Sequence, residues 1–205
     1  MRYIMMRISV SLVAVAVLGS FVLAGSVCQK YPSSQVKGAG PLPYNYRIID
    51  GHIHAGGHPL NPSNDFGNSD EQVLLILSYL RSWGVDTVID LENTKRVQER
   101  YKGLLSKSGM KRLHVPMSAS KMPDKEQWSA IKKAMEGPVY IHCKWGADRT
   151  GAVIAKYLVE EKGYSPEAAF NSVISGGSHA GAMGGLKTTE HYTKLIRFFW
   201  PGYCN

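Results

Sequence analysis

Apolar positions along this chain fall into blocks whose period alternates between that of a strand and that of a helix. Tyr46 to Asp50 reads as a short strand, and Ile53 to Ala55 as its hairpin partner. From Asp70 to Trp83, Val73, Leu74, Leu77 and Leu80 recur at helical spacing, with Ser69 placed to cap the helix and Gly84 to end it. Val85 to Leu91 is a short, mostly apolar strand. Thr94 to Lys107 predicts a second helix closed by Gly109, and Arg112 to Val115 another strand. Pro123 to Met135 predicts a third helix, with proline in its first turn and Gly137 at its end. An apolar strand, Pro138 to Ile141, then leads through a loop into a helix from Thr150 to Glu161. Two further helices are expected near Pro166 to Ile174 and Thr188 to Phe199. Strands alternating with helices imply an α/β fold, a central mostly parallel sheet flanked by helices.

The N-terminal residues follow a different pattern. Met1 to Arg7 carries two arginines and no acid, Ile8 to Leu23 is apolar, and the small residues Ala24, Gly25 and Ser26 follow. These are the parts of a secretory signal peptide over residues 1–24, so the expected location is secreted or periplasmic. An uncleaved membrane anchor is the competing outcome. Cys28 raises lipidation, but Val27 stands before it where a small residue is expected. Residues 25–43 are rich in Ser, Pro, Gly and Lys and read as a linker or extended lead-in, leaving 44–205 as one domain.

Composition changes this picture little. Hydrophobic residues make up 44% and charged residues 20%, ordinary values for a globular domain. The net charge is +8, or +6 once Arg2 and Arg7 leave with the leader, which favours anionic partners. No dense basic block or aromatic-interleaved basic stripe points to nucleic acid, and nothing suggests more than a monomer. Three cysteines, Cys28, Cys143 and Cys204, are too few for a disulfide framework. The two near the termini could pair, leaving Cys143 as a lone thiol.

The chemistry concentrates in Val139 to Gly151, VYIHCKWGADRTG. This segment leaves a buried strand, turns through a glycine-containing loop and enters a helix. Ligands of open α/β sheets bind beyond the carboxyl ends of strands, and a helix N-terminus presents unpaired amides and positive dipole to an anion. Cys143 opens the loop, where such a setting favours the thiolate. Arg149 closes it with a planar fork that can hold two phosphate oxygens at once. Lys144, Trp145, Gly146, Ala147 and Asp148 lie between and complete the candidate phosphate cradle.

His142-Cys143, five intervening residues and Arg149-Thr150-Gly151 resemble the signature loop of the protein tyrosine phosphatase superfamily, on its dual-specificity side. The stretch from Asp50 to Leu91 is similar to the entry segment of small, atypical dual-specificity phosphatases. The resemblance implies that Cys143 attacks phosphorus and forms a phosphocysteine that water hydrolyses, with no cofactor. It also implies that His142 fixes the loop through its ring nitrogens and that Thr150 hydrogen-bonds the sulfur.

One part of the family pattern is absent. The general acid, an aspartate roughly thirty residues before the nucleophile, has no counterpart in Ser108 to Ser118, which holds no Asp or Glu. Asp148 inside the loop ranks first as substitute, because its position guarantees proximity. Asp124 near a helix start and His114 after a strand are the others. A rhodanese-like sulfurtransferase is the nearest enzymatic rival, since it too sets a loop cysteine near an arginine. His52 and His54, with His58 soon after, resemble the paired-histidine strand of metal-dependent hydrolases, the second rival.

Overall fold

The computed structural model describes Gln29–Lys30 and residues 41–204. The leader, most of 25–43 and Cys28 lie outside the described residues, and with them the leader, lipidation and Cys28–Cys204 pairing expectations.

Six strands form one sheet: β1 (Gln29–Lys30), β2 (Arg47–Ile49), β3 (Ile53–Gly56), β4 (Thr87–Asp90), β5 (Lys111–His114) and β6 (Val139–His142), in the order β1-β2-β3-β6-β4-β5. The run β3-β6-β4-β5 is parallel, and β1 and β2 extend it in antiparallel fashion. The expected mostly parallel α/β sheet is therefore present. Within 25–43, read as a linker or extended lead-in, Gln29–Lys30 form β1 against β2.

β2 and β3 form the expected hairpin. Asp50 and Gly51 both take positive φ (50° and 75°), and the His52 amide bonds to the Ile49 carbonyl, closing the turn. Beyond it, β3 pairs in parallel with β6, so each residue of the hairpin's second strand lies against the strand that feeds the loop.

Helices α1 (Asp70–Ser82), α2 (Gln98–Lys107), α3 (Lys125–Ala134), α4 (Asp148–Lys162), α5 (Pro166–Val173) and α6 (Thr193–Arg197) cover the sheet. The strands alternate faces as their period of two dictates. Val139 and Ile141 of β6 pack on one side with Ile131 of α3, Val153 of α4 and Leu195 of α6. Tyr140, between them, packs on the other with Leu77 of α1 and Tyr101 and Leu104 of α2. Ser69 caps α1 and Asp124 caps α3, each in a reciprocal capping box with the glutamine three residues on.

Four helix starts differ from the sequence pattern. Pro123 precedes the cap of α3 rather than sitting in its first turn. The segments expected as helices from Thr94 and Thr188 begin as 3-10 turns, Lys95–Val97 and Glu190–Tyr192, before becoming α-helical. The helix after the loop starts at Asp148, two residues before the expected Thr150, and this shift matters most for the site. Among the described residues, no helix is long and apolar enough to cross a membrane.

Candidate active site

The loop runs from the end of β6 at His142 to the start of α4 at Asp148, so Asp148 and Arg149 belong to the helix's first turn. Ala147 is the N-cap and supplies no side-chain acceptor. The first amides of α4 thus lack the usual hydroxyl or carboxylate partner and remain suited to an anion. Cys143 opens the loop and is 2% exposed, its side chain among the core residues of the α4 side.

Gly146 makes the tight loop possible. Its φ is +70°, and a Cβ there would lie 2.2 Å from the carbonyl carbon of Gly56. The loop is pressed against the end of β3 with no room for a side chain.

Arg149 is held by groups that the sequence pattern did not single out. Its Nη2 donates to Glu92 Oε2 at 3.0 Å, and its Nη1 to the carbonyl oxygens of Leu91 (3.0 Å) and Met117 (3.3 Å) and to Asn93 Oδ1 (3.4 Å). Among the described residues the Nε–H and the second Nη2–H make no hydrogen bond, which leaves donors for a phosphate. Burial opposes the guanidinium charge, but Cys143, Glu92 and Asp148 more than offset it and raise its pKa.

Glu92 is fully buried just beyond β4. Its other oxygen accepts the amides of Asn93 (3.0 Å) and Thr94 (2.9 Å) and the Thr94 hydroxyl (2.6 Å). Asp90, also buried, receives Arg112 through Nε (3.0 Å) and Nη2 (2.6 Å). The signal in the sequence was two carboxylates, Asp90 and Glu92, at the end of an otherwise apolar strand, where burial demands partners.

A second set of contacts holds the loop from the sheet side. The His58 amide donates to the Lys144 carbonyl at 3.0 Å, and Arg47 Nη1 donates to the Gly146 carbonyl at 2.7 Å. Arg47 is 1% exposed and reaches the carbonyls of His179 (Nε, 2.9 Å) and Asn45 (Nη1, 3.1 Å) as well. The Tyr140 hydroxyl bonds the Gly57 carbonyl, fixing the segment on which the loop rests.

His142 stands over the α2 side of the sheet with its ring stacked on Tyr140 and edge-on to His58 and Tyr101. Its Nδ1 lies 3.4 Å from the Cys143 carbonyl and its Nε2 3.7 Å from Asp90. Burial lowers the pKa of His142, against the pull of Asp90, the Cys143 carbonyl and Glu92. Burial, aided by His142, Arg112 and Arg149, pushes that of His58 well down. Both rings are neutral near pH 7.

The remaining sequence-derived candidates separate. Trp145, Asp148 and Arg149 line a depression with Asn93, Lys187 and His191, so Asp148 and Arg149 are brought together. Asp148 Oδ1 accepts the Lys187 amide at 2.9 Å, and Oδ2 is 3.7 Å from the Lys187 ammonium. Lys144 Nζ lies over the rings of Phe66 and Trp145 at the rim. Trp145 is 37% exposed, with Tyr44 edge-on to it. Asp124 is engaged with the Gln127 amide as the cap of α3, and His114 Nε2 donates to the Glu92 carbonyl at 3.0 Å. The Thr150 hydroxyl oxygen is buried and makes no hydrogen bond among the described residues, so the sulfur contact the resemblance implies is not one of its bonds.

The histidines that suggested a metal strand are engaged otherwise. His52 Nδ1 and Nε2 face the carbonyls of Asp50 and Met135, each at 2.9 Å, and lie in the turn rather than on β3. His54 pairs through Nδ1 with the Tyr46 hydroxyl.

A strand, a cysteine-led loop and an arginine in the first turn of the next helix are arranged as in the phosphate-loop class of cysteine-dependent phosphatases. Within that class, the chain is similar to the bacterial dual-specificity members of the protein tyrosine phosphatase superfamily. Residues 71–163 match a family model described as "Polymorphic toxin system, DSP-PTPase phosphatase". Dual specificity protein phosphatase TpbA of Pseudomonas aeruginosa is 32% identical over 77 residues, which is 36% of this chain and 35% of TpbA. The chain thus matches about a third of the length of that curated relative. The TpbA crystal structure superposes with a TM-score of 0.56 at 19% identity, covering 85% of this chain and 91% of that one. The PTPMT1 structure gives 0.52 at 20% identity, covering 76% and 94%. A cysteine-to-serine variant of TpbA has been crystallised with phosphotyrosine.

Proposed function

We propose that this chain hydrolyses phosphomonoesters of the phosphotyrosine type through a phosphocysteine on Cys143. The carrying observation is Arg149, fixed by buried Glu92 and with two donors unspent among the described residues, in the first turn of the helix that follows the cysteine-led loop. The Cys143 thiolate attacks phosphorus, an S–P bond forms, and the bond from phosphorus to the ester oxygen breaks. Asp148, the carboxyl group beside Arg149, gives the departing oxygen its proton. Water then gives a proton back to Asp148 as its oxygen attacks phosphorus, the S–P bond breaks, and inorganic phosphate leaves with the thiolate regenerated. Arg149 and the loop amides hold the equatorial oxygens throughout.

The substrate class follows from the rim. Trp145, half-exposed and flanked by Tyr44, offers an aromatic edge to a phosphorylated ring, and TpbA's phosphotyrosine complex supports the same class. The specificity extends to phosphomonoesters broadly. The basic, apolar leader supports a secreted or periplasmic location for this activity, and the reading is of a monomer whose partner is the phosphorylated substrate.

The test is turnover of nitrophenyl phosphate and of a phosphotyrosine peptide, blocked by orthovanadate and undiminished in excess chelator. Cys143→Ser keeps the fold and phosphate binding and loses turnover, because a serine hydroxyl does not ionise near neutral pH. More than trace activity in that variant would falsify the nucleophile. Sulfur transfer from thiosulfate to cyanide in place of ester hydrolysis would replace the reading altogether.

A further inference from the structure

We infer that Arg47, the buried arginine of β2, is a positioning residue that aims a phosphate-loop amide at the bound anion. The inference rests on the loop being the phosphate site proposed above, and it adds a group from β2, beyond the strand on which the loop rests.

Arg47 sits between Tyr46 and Ile48, both core residues, and is itself 1% exposed. Burying a guanidinium is costly, and an apolar side chain would serve packing as well. What the arginine does instead is reach three carbonyl oxygens on three separated stretches of chain: Asn45, Gly146 and His179. The shortest of these bonds, 2.7 Å, goes to the middle of the phosphate loop.

In a trans peptide the C=O and the following N–H point in opposite directions. Fixing the Gly146 carbonyl toward Arg47 therefore fixes the Ala147 N–H away from it, toward the loop mouth. The same reasoning holds one step earlier. The Lys144 carbonyl accepts from the His58 amide at 3.0 Å, so the Trp145 N–H points away from β3.

The two peptides differ in how freely they could turn. The Gly146–Ala147 unit follows a glycine at φ +70°, the residue type that gives the backbone most freedom. Left alone, that peptide could rotate and present a carbonyl oxygen to the anion. A charge-assisted bond to its oxygen removes that option before substrate arrives. Preorganised donors of this kind carry much of the stabilisation of a developing anion.

The experiment uses the full-length protein with inorganic phosphate and orthovanadate as probes. Saturating the wild type with phosphate should shift the backbone amide resonances of Ala147 and Trp145. Arg47→Met should weaken phosphate and vanadate binding and lower kcat/KM, each by about 10²-fold, the effect of losing one oxyanion donor. It should also abolish the Ala147 shift while leaving that of Trp145. Arg47→Lys keeps the charge but not the reach to three carbonyls, and should fall between. Asn45→Ala, at a left-handed residue (φ 57°) that ties the neighbouring 183–184 segment, should lose stability but keep anion affinity.

An unmoved Ala147 amide in phosphate-saturated wild type overturns the inference, whether or not the variants fold. So do wild-type anion affinity in both Arg47 variants, or a loss in Asn45→Ala as large as that in Arg47→Met. Intact phosphate binding without any ester hydrolysis would sink the proposed function and leave this inference standing.

Discussion

One arginine is buried against the middle of the loop and another, partly buried, follows its end, and they are put to different uses. Arg149, 15% exposed at its side chain, divides its donors between Glu92, nearby carbonyls and an open direction. Arg47, 1% exposed, bonds backbone carbonyls of the loop and its neighbours. The difference separates a group that meets the substrate from a group that shapes the place where substrate sits. Substitutions on the Arg149 side should change chemistry and spare stability. Those on the sheet side should change both.

The largest effect is expected at Arg149. Arg149→Lys replaces a fork with a point charge and should lower kcat/KM by about 10³-fold or more, with a melting temperature within a few degrees of wild type. Near-normal steady-state kinetics would erase the contrast by removing Arg149 from the transition state.

Asp148→Asn sharpens the same side of the comparison. Alkyl phosphates expel a basic alkoxide and need the proton, so turnover on them should fall roughly 10²–10⁴-fold, and far less on nitrophenyl phosphate. Asp124→Asn, which weakens only the cap of α3, should be close to neutral in rate on both esters. If the leaving-group dependence follows Asp124 instead, a closing segment must carry the acid to the site.

Glu92→Gln tests the bridge between the two regions, since Glu92 both orients Arg149 and caps the Thr94 turn. Losing a charge-assisted bond worth about 1.5–3 kcal/mol should cost roughly 10–10²-fold in kcat/KM, together with a clear drop in melting temperature. A rate loss with unchanged stability would move Glu92 to the chemical side.

The smallest effect is a pH dependence of stability. Burial, with help from His52, lowers His54 from 6.5 to about 4, so the folded state refuses a proton that the unfolded chain accepts between those values. Stability is therefore full above pH 6.5 and falls as the pH drops toward 4, by at most about 1.4 kcal/mol per pH unit for this group. His58 and His142 act in the same direction. His54→Gln should shrink the difference between melting temperatures at pH 7 and pH 5, and an unchanged difference would remove His54 from the set.

What was legible in the sequence follows the same division. Cys143, Gly146 and Arg149 lie within one strand-loop-helix unit, so their spacing alone brings them together. The alternation of Val139, Tyr140 and Ile141 between the two faces of the sheet was equally local. Arg47 left no such trace, because one basic residue on a short strand is ordinary until long-range pairing buries it. Glu92 was hidden for the same reason, since its role depends on β4 lying beside β6. The early start of α4 was missed because Asp148 and Arg149 read as loop polar residues, whereas their backbone is already helical.

The bond from Arg47 to Gly146 spans 99 residues of sequence and that from Arg47 to His179 spans 132. A fragment that stops short of residue 179 lacks one of the three carbonyls that hold Arg47 in place. Contacts of such separation form late in folding, after their loop-closure cost has been met. Phosphate affinity is then a gauge of folding: a newly made or refolding molecule reaches its full value once both of these distant contacts have formed.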